Sequence, residues 1–138
     1  MKLSDFYFEE KAQIGNRMPI LMPDGTDSGE WLNVVSAGAD AAVKAGRAFA
    51  FKYKAAVESL KALETKAKKA KDYTEYNIAL GEACEVLNRQ LSAEIVNGWS
   101  FDEPFSKEEL VKLLDQYKAL GTSVVDFYRT QRDELQAK

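Results

Sequence analysis

The sequence contains no histidine and a single cysteine, Cys84. Histidine is the commonest general acid or base near neutral pH and the commonest metal ligand, so its absence excludes Ser-His-Asp and Cys-His catalytic sites. It also excludes zinc sites built from cysteine and histidine and di-iron bundles, which need Glu-x-x-His elements. One thiol cannot form an intramolecular disulfide, which favours a reducing compartment. The sequence therefore argues against an enzyme and predicts no metal and no cofactor.

Long apolar runs and an excess of positive charge are also missing. No apolar run approaches the ~20 residues that a membrane helix needs, and the opening MKLSDFYFEEKAQ lacks the apolar core of a signal peptide. The formal net charge is −3, whereas nucleic-acid-binding domains usually carry a strong basic excess. We therefore expect a cytosolic protein that binds neither membranes nor nucleic acid.

The composition of what is present predicts one mixed domain. The 138 residues suit a single domain, and 46% hydrophobic residues are enough for a core. Apolar runs at residues 17–22 and 30–35 flank a loop at residues 23–29, which predicts a β-hairpin. Helical patterns follow residue 36. We predict an α+β, mainly α fold over residues 1–138, with a small antiparallel β-hairpin or meander in residues 1–36 and a bundle of about four helices in residues 40–138.

The finer predictions at the N-terminal side concern one extended segment and one long helix. Phe6 and Phe8 alternate with Tyr7, which predicts extended chain. Asp40 is a candidate N-cap, and a helix from 41 to 71 would be roughly 45 Å long. Because that length exceeds the expected diameter of the domain, we expect either that one end projects, as a surface for self-association or partner binding, or that the helix breaks near Gly46.

Three further helices complete the predicted bundle. The second follows a capping box at residues 72–75 and stops at Asn97-Gly98. A strong capping box at Ser106–Glu109 opens the third helix. Gly121 ends that helix, and residues 122–123 start the fourth.

Charged residues and the thiol have plain explanations. The carboxylates mostly lie opposite the apolar stripes, so solvated helix faces explain them better than an acid–base pair does. The lysines suit the C-terminal end of the long helix, where cations complement the helix dipole, better than a phosphate site. Cys84 suits a small buried apolar role, because two glutamates flank it and a reactive thiol needs a positive neighbourhood. The residues concerned are Glu75, Glu82, Glu85, Asp102, Glu103, Glu108 and Glu109, and Lys66, Lys68, Lys69 and Lys71.

Aromatic residues are the remaining signal. Trp99, Phe101 and Phe105 cluster in a segment that otherwise has the composition of a loop. Two interpretations stay open: the cluster caps the core where two helices turn, or part of it forms a partner-binding surface with Trp31. Aromatic residues dominate binding hot spots, and large exposed apolar patches mark partner sites. Phe51 lies off the stripe of its helix and is a candidate for a second contact. These five residues are the predicted partner-binding residues.

Two blocks of sequence carry a family resemblance. The first is MPIL at residues 18–21 and PDGTDSGEWLNV at residues 23–34, followed by RAF at residues 47–49. The second is VNGWSFDEPFSKEE at residues 96–109, followed by Leu113-Leu114 and Phe127-Tyr128. In order and chain length they resemble tail assembly chaperones of long-tailed bacteriophages, the class that includes the lambda G-like proteins. Lys118 lies in a region where members often carry a proline.

The resemblance implies a binding role. Such chaperones bind the tape measure protein, a very long, helical and aggregation-prone chain, and keep it soluble until the tail tube polymerises around it. They are then absent from the finished particle, and some also exist in a longer, frameshifted form. The resemblance implies the tape measure protein as partner, with the major tail tube protein, a frameshifted longer form and further copies of the chain as additional partners in the host cytoplasm. The alternatives are a structural virion component, such as a tail completion or connector protein, and an enzyme that uses only carboxylates, lysine and tyrosine.

Overall fold

Helices dominate the chain. A computed structural model describes residues 1–137 and is 67% helical with a small antiparallel sheet, which confirms the α+β, mainly α prediction. In chain order the elements are a 3-10 helix Leu3–Phe6, α1 Phe8–Ile14, β1 Asn16–Leu21, β2 Asp27–Val34, α2 Asp40–Ser59, α3 Lys61–Ala70, α4 Thr74–Ile95, β3 Val96–Trp99, α5 Lys107–Gln116 and α6 Lys118–Ala137.

The predicted β-hairpin is confirmed. Strands β1 and β2 pair antiparallel, with Met18 opposite Leu32, and both side chains are buried. The loop between them is closed locally, because the Asp24 carboxylate accepts hydrogen bonds from the hydroxyl of Thr26 (2.7 Å) and from its backbone N–H (3.0 Å). These bonds hold the pKa of Asp24 below its ordinary value.

The third strand was not predicted. The sheet order is β1-β2-β3, and β3 follows α4 directly at Val96. The Asn97-Gly98 pair therefore does not end the helix, which stops at Ile95, but lies inside the strand. The Asn97 side chain meets the Asn33 side chain across 64 residues of sequence. Nothing in the local sequence indicates a pairing over that distance.

Residues 3–6 and 8–14 are helical, so the extended segment predicted from Phe6 and Phe8 is wrong. The segment FEEKAQI contains strong helix formers. Their helix propensity outweighs the preference for extended chain that the alternating aromatic residues indicate. Gly15 ends α1 with φ 65°, a conformation that costs glycine little. A Cβ at this position would lie 2.2 Å from the carbonyl oxygen of Val34, so no other residue fits here without movement of the backbone.

The long helix predicted over residues 41–71 is divided at Leu60. Helix α2 ends at Ser59, and α3 begins at Lys61. Both pieces pack on α4, so the projecting end expected as a surface for self-association or partner binding is not formed. The predicted break at Gly46 is also wrong, because α2 continues through it. Asp40 is the first residue of α2 and forms an ion pair with Lys44 (3.0 Å), while Ala39 occupies the cap position.

The core lies between the sheet and helices α4, α5 and α6. The large apolar side chains that are almost completely buried are Leu32, Val34, Ile95, Leu110, Leu114, Val124 and Val125. The prediction that Gly121 separates two helices is wrong, because the chain breaks at Tyr117 and Gly121 lies within α6. A Cβ on Gly121 would lie 3.1 Å from Cγ of Arg89. The carbonyl of Gly121 accepts a hydrogen bond from the hydroxyl of buried Ser92 (2.9 Å). Glycine therefore permits the close crossing of α4 and α6.

No helix within residues 1–137 combines the length and the apolar character needed to cross a bilayer.

Candidate partner-binding groove

Helices α2, α4 and α5 enclose an open groove of about 960 Å³. Helix α4 packs against both α2 and α5, so it forms the floor while the other two form the walls. The apolar part of the lining is made of small and aliphatic side chains with one aromatic ring: Ala41, Ala45, Ala48, Phe49, Val86, Leu87, Leu91, Ala93, Val111 and Leu114.

Alanines on α2 produce this shape. Ala41, Ala45 and Ala48 follow one another at helical spacing, so they lie on one face of α2, and Ala45 is buried while the other two are exposed. On the facing elements, Val86 of α4 and Val111 of α5 are 43% and 40% exposed. Because the alanine side chains are short, the three helices leave room for a further apolar body between them.

The charged groups of the groove are paired along its rim. Lys44 contacts Asp40 at 3.0 Å, Arg89 contacts Asp115 at 3.9 Å, and Lys107 pairs with Glu94. The ammonium group of Lys52 donates a hydrogen bond to the side-chain oxygen of Gln90 (3.1 Å), which links α2 to α4.

Such a lining suits the capture of an apolar partner. Its ionic groups pair with one another and do not converge on a common point, as the groups of a site for acid–base chemistry must. Within residues 1–137, no cluster of three or more acidic, cysteine or histidine side chains is placed to hold a metal ion.

Phe51 stands beside the groove. Its side chain is 77% exposed. It follows Lys44, a lining residue, by seven positions, which is two helical turns, so both lie on the same side of α2. The structure thus places this predicted binding residue on the outer rim of the α2 wall.

Trp99, Phe101 and Phe105 are brought together as a compact aromatic cluster. The Trp99 ring lies edge-on to Phe101 at 5.4 Å and to Phe105 at 5.0 Å between centroids. The indole N–H of Trp99 donates a hydrogen bond to the carbonyl of Glu103 (2.8 Å). Trp99 and Phe101 also pack, half-buried, against the core. The aromatic cluster therefore fixes the segment that leads into α5, one of the two walls of the groove.

Trp31 lies away from that cluster. Leu32 pairs with Trp99 across the sheet and faces the core. Because successive residues of a strand point to opposite faces, Trp31 lies on the outer face, where the guanidinium of Arg17 stacks 4.2 Å from its ring centroid. Only the Trp31 backbone joins the aromatic segment, since Ser100 N–H donates to its carbonyl (3.0 Å). The five predicted residues thus occupy three separate places.

The groove-lining residues were missed by the sequence analysis. The repeated alanines of α2 and the off-stripe Val86 and Val111 are the signal that was present. These residues indicate a groove only when the three helices are known to be neighbours. The predicted charged faces are confirmed, because every carboxylate named above is exposed, and Lys68 and Lys69 fall in the last turn of α3. Cys84 is half-buried.

Comparison with known proteins identifies the family. The phage tail assembly chaperone family matches residues 36–138, a region that includes all three helices of the groove. No curated protein and no solved structure matches the chain. The match covers most of the sequence and agrees with the resemblance carried by residues 96–109. The chain therefore belongs to the phage tail assembly chaperone family.

Proposed function

We propose that this chaperone binds the tape measure protein and keeps it soluble before the tail tube polymerises, and that the groove between α2, α4 and α5 holds an apolar helix face of that partner. The observation that carries the proposal is the groove itself, an uncovered apolar channel within the region that matches the family. The proposed setting is the host cytoplasm, and the proposed fate is absence from the mature particle.

The dimensions of the groove suit an α-helix. Its α2 wall runs from Asp40 to Lys52, which is roughly 18 Å at ~1.5 Å per residue. Three turns of a helix about 10 Å across occupy roughly 1,300 Å³. The groove, at about 960 Å³, would surround most of such a segment while its outer side stays in solvent. This is the helix-in-groove mode, in which apolar residues at helical spacing anchor an amphipathic partner.

Small residues in the walls favour this mode over a tight small-molecule site. A site for a small ligand places a few polar groups so that they converge on it, whereas here the polar groups pair along the rim. Alanine walls instead let a partner backbone approach closely. Phe51 adds an exposed aromatic side chain beside the channel, and we propose it as an additional contact.

Weak binding at one groove is sufficient for the proposed role. A very long helical partner offers many apolar stripes, so many chaperone copies can bind along it. Each bound copy covers only about three turns, and the ensemble gains from multivalency. The aromatic cluster contributes by holding α5 in place. We propose Trp31, together with Arg17, as a separate contact on the outer face of the sheet.

Co-expression with the tape measure protein tests the proposal. The soluble fraction of the tape measure protein should rise strongly when the intact chain is present. Val86→Asp places a charge in the groove and should abolish that rise, because burying an unpaired carboxylate is costly. Ile78→Asp is the matched control: Ile78 lies on the same helix and is 57% exposed but is not among the groove-lining residues.

Two results would contradict the proposal. One is a tape measure protein whose solubility does not depend on the chain. The other is an equal loss of solubility with Val86→Asp and Ile78→Asp. Mass spectrometry of purified particles tests the alternative role as a structural component, since a chaperone should be missing and a connector subunit should be present in fixed stoichiometry.

A further inference from the structure

The charges that line the groove leave one cation over. Four cationic and three anionic side chains lie along it, so the lining has a net charge of +1 on a chain whose net charge is −3. Each of the three carboxylates forms an ion pair with one of the cations, as described above. Lys52 is the remaining cation, and among the side chains that the structure describes it has no carboxylate partner.

Lys52 is held at one end of the groove. It is the last residue of α2 in the lining, and its ammonium group donates a hydrogen bond to Oε1 of Gln90 at 3.1 Å. This bond draws the ammonium group toward α4, the floor of the groove. The amide oxygen of Gln90 carries no formal charge, so the charge of Lys52 stays uncompensated.

A bound helix that covers this end would remove water from the ammonium group of Lys52. Loss of hydration is costly for an uncompensated charge, whereas a carboxylate on the bound helix would compensate the charge and accept a charge-assisted hydrogen bond. The three paired cations need no such partner. Lys52 therefore disfavours a purely apolar helix and favours one with an acidic residue at this end, which is discrimination through an unpaired charge.

The contacts with α4 give the direction of both walls. Later residues of each wall contact earlier residues of α4. The contacts are Lys52 with Gln90 and Lys66 with Glu75 along α2 and α3, and Lys107 with Glu94 and Asp115 with Arg89 along α5. Both walls therefore run antiparallel to α4 and parallel to each other. Their first residues, Asp40 and Lys107, line the groove at the end opposite Lys52.

These helix ends set the polarity of a bound helix. At the end opposite Lys52, the N-termini of α2 and α5 outnumber the single C-terminus of α4, so their partial positive charges favour the C-terminal end of a bound helix. At the other end α5 stops at Gln116, one residue after Asp115, and its C-terminal partial charge favours a bound N-terminus. The first turn of a bound helix therefore lies beside Lys52, and the first turn is where acidic residues stabilise a helix.

We propose that the groove selects an amphipathic helix that carries a carboxylate in its first turn, and that Lys52 is the residue that recognises this carboxylate. The bound helix runs antiparallel to α2 and α5. The proposal rests on the function proposed above, since it takes the groove as a helix-binding site and names the kind of helix that the site prefers.

Two synthetic helical peptides test the selection by isothermal titration calorimetry with the full chain. Both are about 18 residues long, roughly 27 Å as a helix, and have blocked termini and leucines along one face. The remaining positions are alanine and glutamine, except for a single glutamate that lies in the first turn of one peptide and in the last turn of the other. The intact chain should bind the first-turn peptide more tightly.

The deciding quantity is the ratio of the two dissociation constants, because a first-turn glutamate also stabilises the free peptide helix. Lys52→Gln should reduce this ratio by about three- to tenfold, as expected when one partner of a charge-assisted hydrogen bond near the surface is lost. Lys54→Gln is the matched control. Lys54 is an exposed lysine on the same helix that does not line the groove, and its loss should leave the ratio unchanged.

A nitroxide on the N-terminus of the first-turn peptide tests the direction of binding. In ¹⁵N-labelled chain it should broaden the amide signals of Lys52 and Gln90 more strongly than those of Ala41 and Gln13, which lie at the other end. Three results would overturn the proposal: an equal ratio in Lys52→Gln and the intact chain, the reverse pattern of broadening, or no binding of either peptide. The effect of Val86→Asp on the solubility of the tape measure protein decides the proposed function separately. A loss of solubility there together with an unchanged ratio here would retain the function and reject the selection by Lys52.

Discussion

At the residue scale, Gly15 shows how one backbone position holds the N-terminal helix on the sheet. Gly15→Ala should lower the free energy of unfolding by about 2 kcal/mol or more, because φ 65° strains an L-residue and the new Cβ would lie 2.2 Å from the Val34 carbonyl oxygen. Gly46→Ala is the control, because nothing lies within 4 Å of a Cβ there. In the interior of α2 this change should stabilise by about 0.5–1 kcal/mol. Urea denaturation of both variants measures the difference, and equal effects would contradict the account.

Trp99 and Phe51 separate a structural aromatic residue from an exposed one. Trp99→Ala should destabilise by about 2–3 kcal/mol, since it removes two edge-on ring contacts, a hydrogen bond and packing on the core. Phe51→Ala should change stability by less than about 0.5 kcal/mol, because the side chain is 77% exposed.

Thermal melts of these two variants, followed by pull-down of the tape measure protein, measure both effects. Phe51→Ala should weaken the pull-down without a change in melting temperature. If Trp99→Ala leaves the melting temperature unchanged and abolishes binding, Trp99 is a contact residue rather than a structural one.

The sequence predicts the aromatic cluster because its three members are close along the chain. It does not predict that Trp31 is separate from them. That separation follows from the pairing of Leu32 with Trp99, which joins residues far apart in sequence. The groove-lining alanines could not be predicted for the same reason. An alanine on a helix indicates a groove only when the position of the neighbouring helix is known.

At the scale of elements, the start of α5 is specified locally and can be tested alone. The hydroxyl of Ser106 accepts a hydrogen bond from the backbone N–H of Glu109 (3.2 Å), which is one of the two bonds of the predicted capping box. Ser106→Ala should cost about 1 kcal/mol of stability and should loosen the α5 wall of the groove. Ser123→Ala is the control, because Ser123 lies inside α6 and alanine is a better helix former there. Equal stability losses in chemical denaturation of the two variants would show that Ser106 does not act as a cap.

Other element boundaries differ in whether their partners lie nearby in the sequence or on another helix. Tyr73 occupies the cap position of α4, so the capping box predicted at residues 72–75 is not formed. The Asp72 carboxylate instead accepts hydrogen bonds from the hydroxyl (2.7 Å) and backbone N–H (3.0 Å) of Thr74, the first residue of α4. These bonds lower the pKa of Asp72. The boundary was predictable because the bonds span two residues. In contrast, Gly121 resembles a helix stop by composition alone, and its true role depends on Arg89 and Ser92 of another helix.

At the scale of the whole molecule, two uncovered apolar surfaces stand out on a chain with a net charge of −3. One is the groove in the part that matches the family, and the other is formed by the exposed apolar side chains of residues 1–8, which lie outside that part. The fold class was predictable from composition and periodicity. The direction of the two groove walls was not, because it depends on the contacts of Lys52 and Lys107 with α4.

The most direct test of the central claim is site-specific photocrosslinking in phage-infected cells. A benzophenone amino acid is placed at Val111 in the groove or, as the control, at exposed Ile78 outside it. The account predicts an adduct with the tape measure protein from position 111 and little or none from position 78. An adduct from position 78 that equals or exceeds the one from position 111 would contradict the assignment of the groove as the holding site.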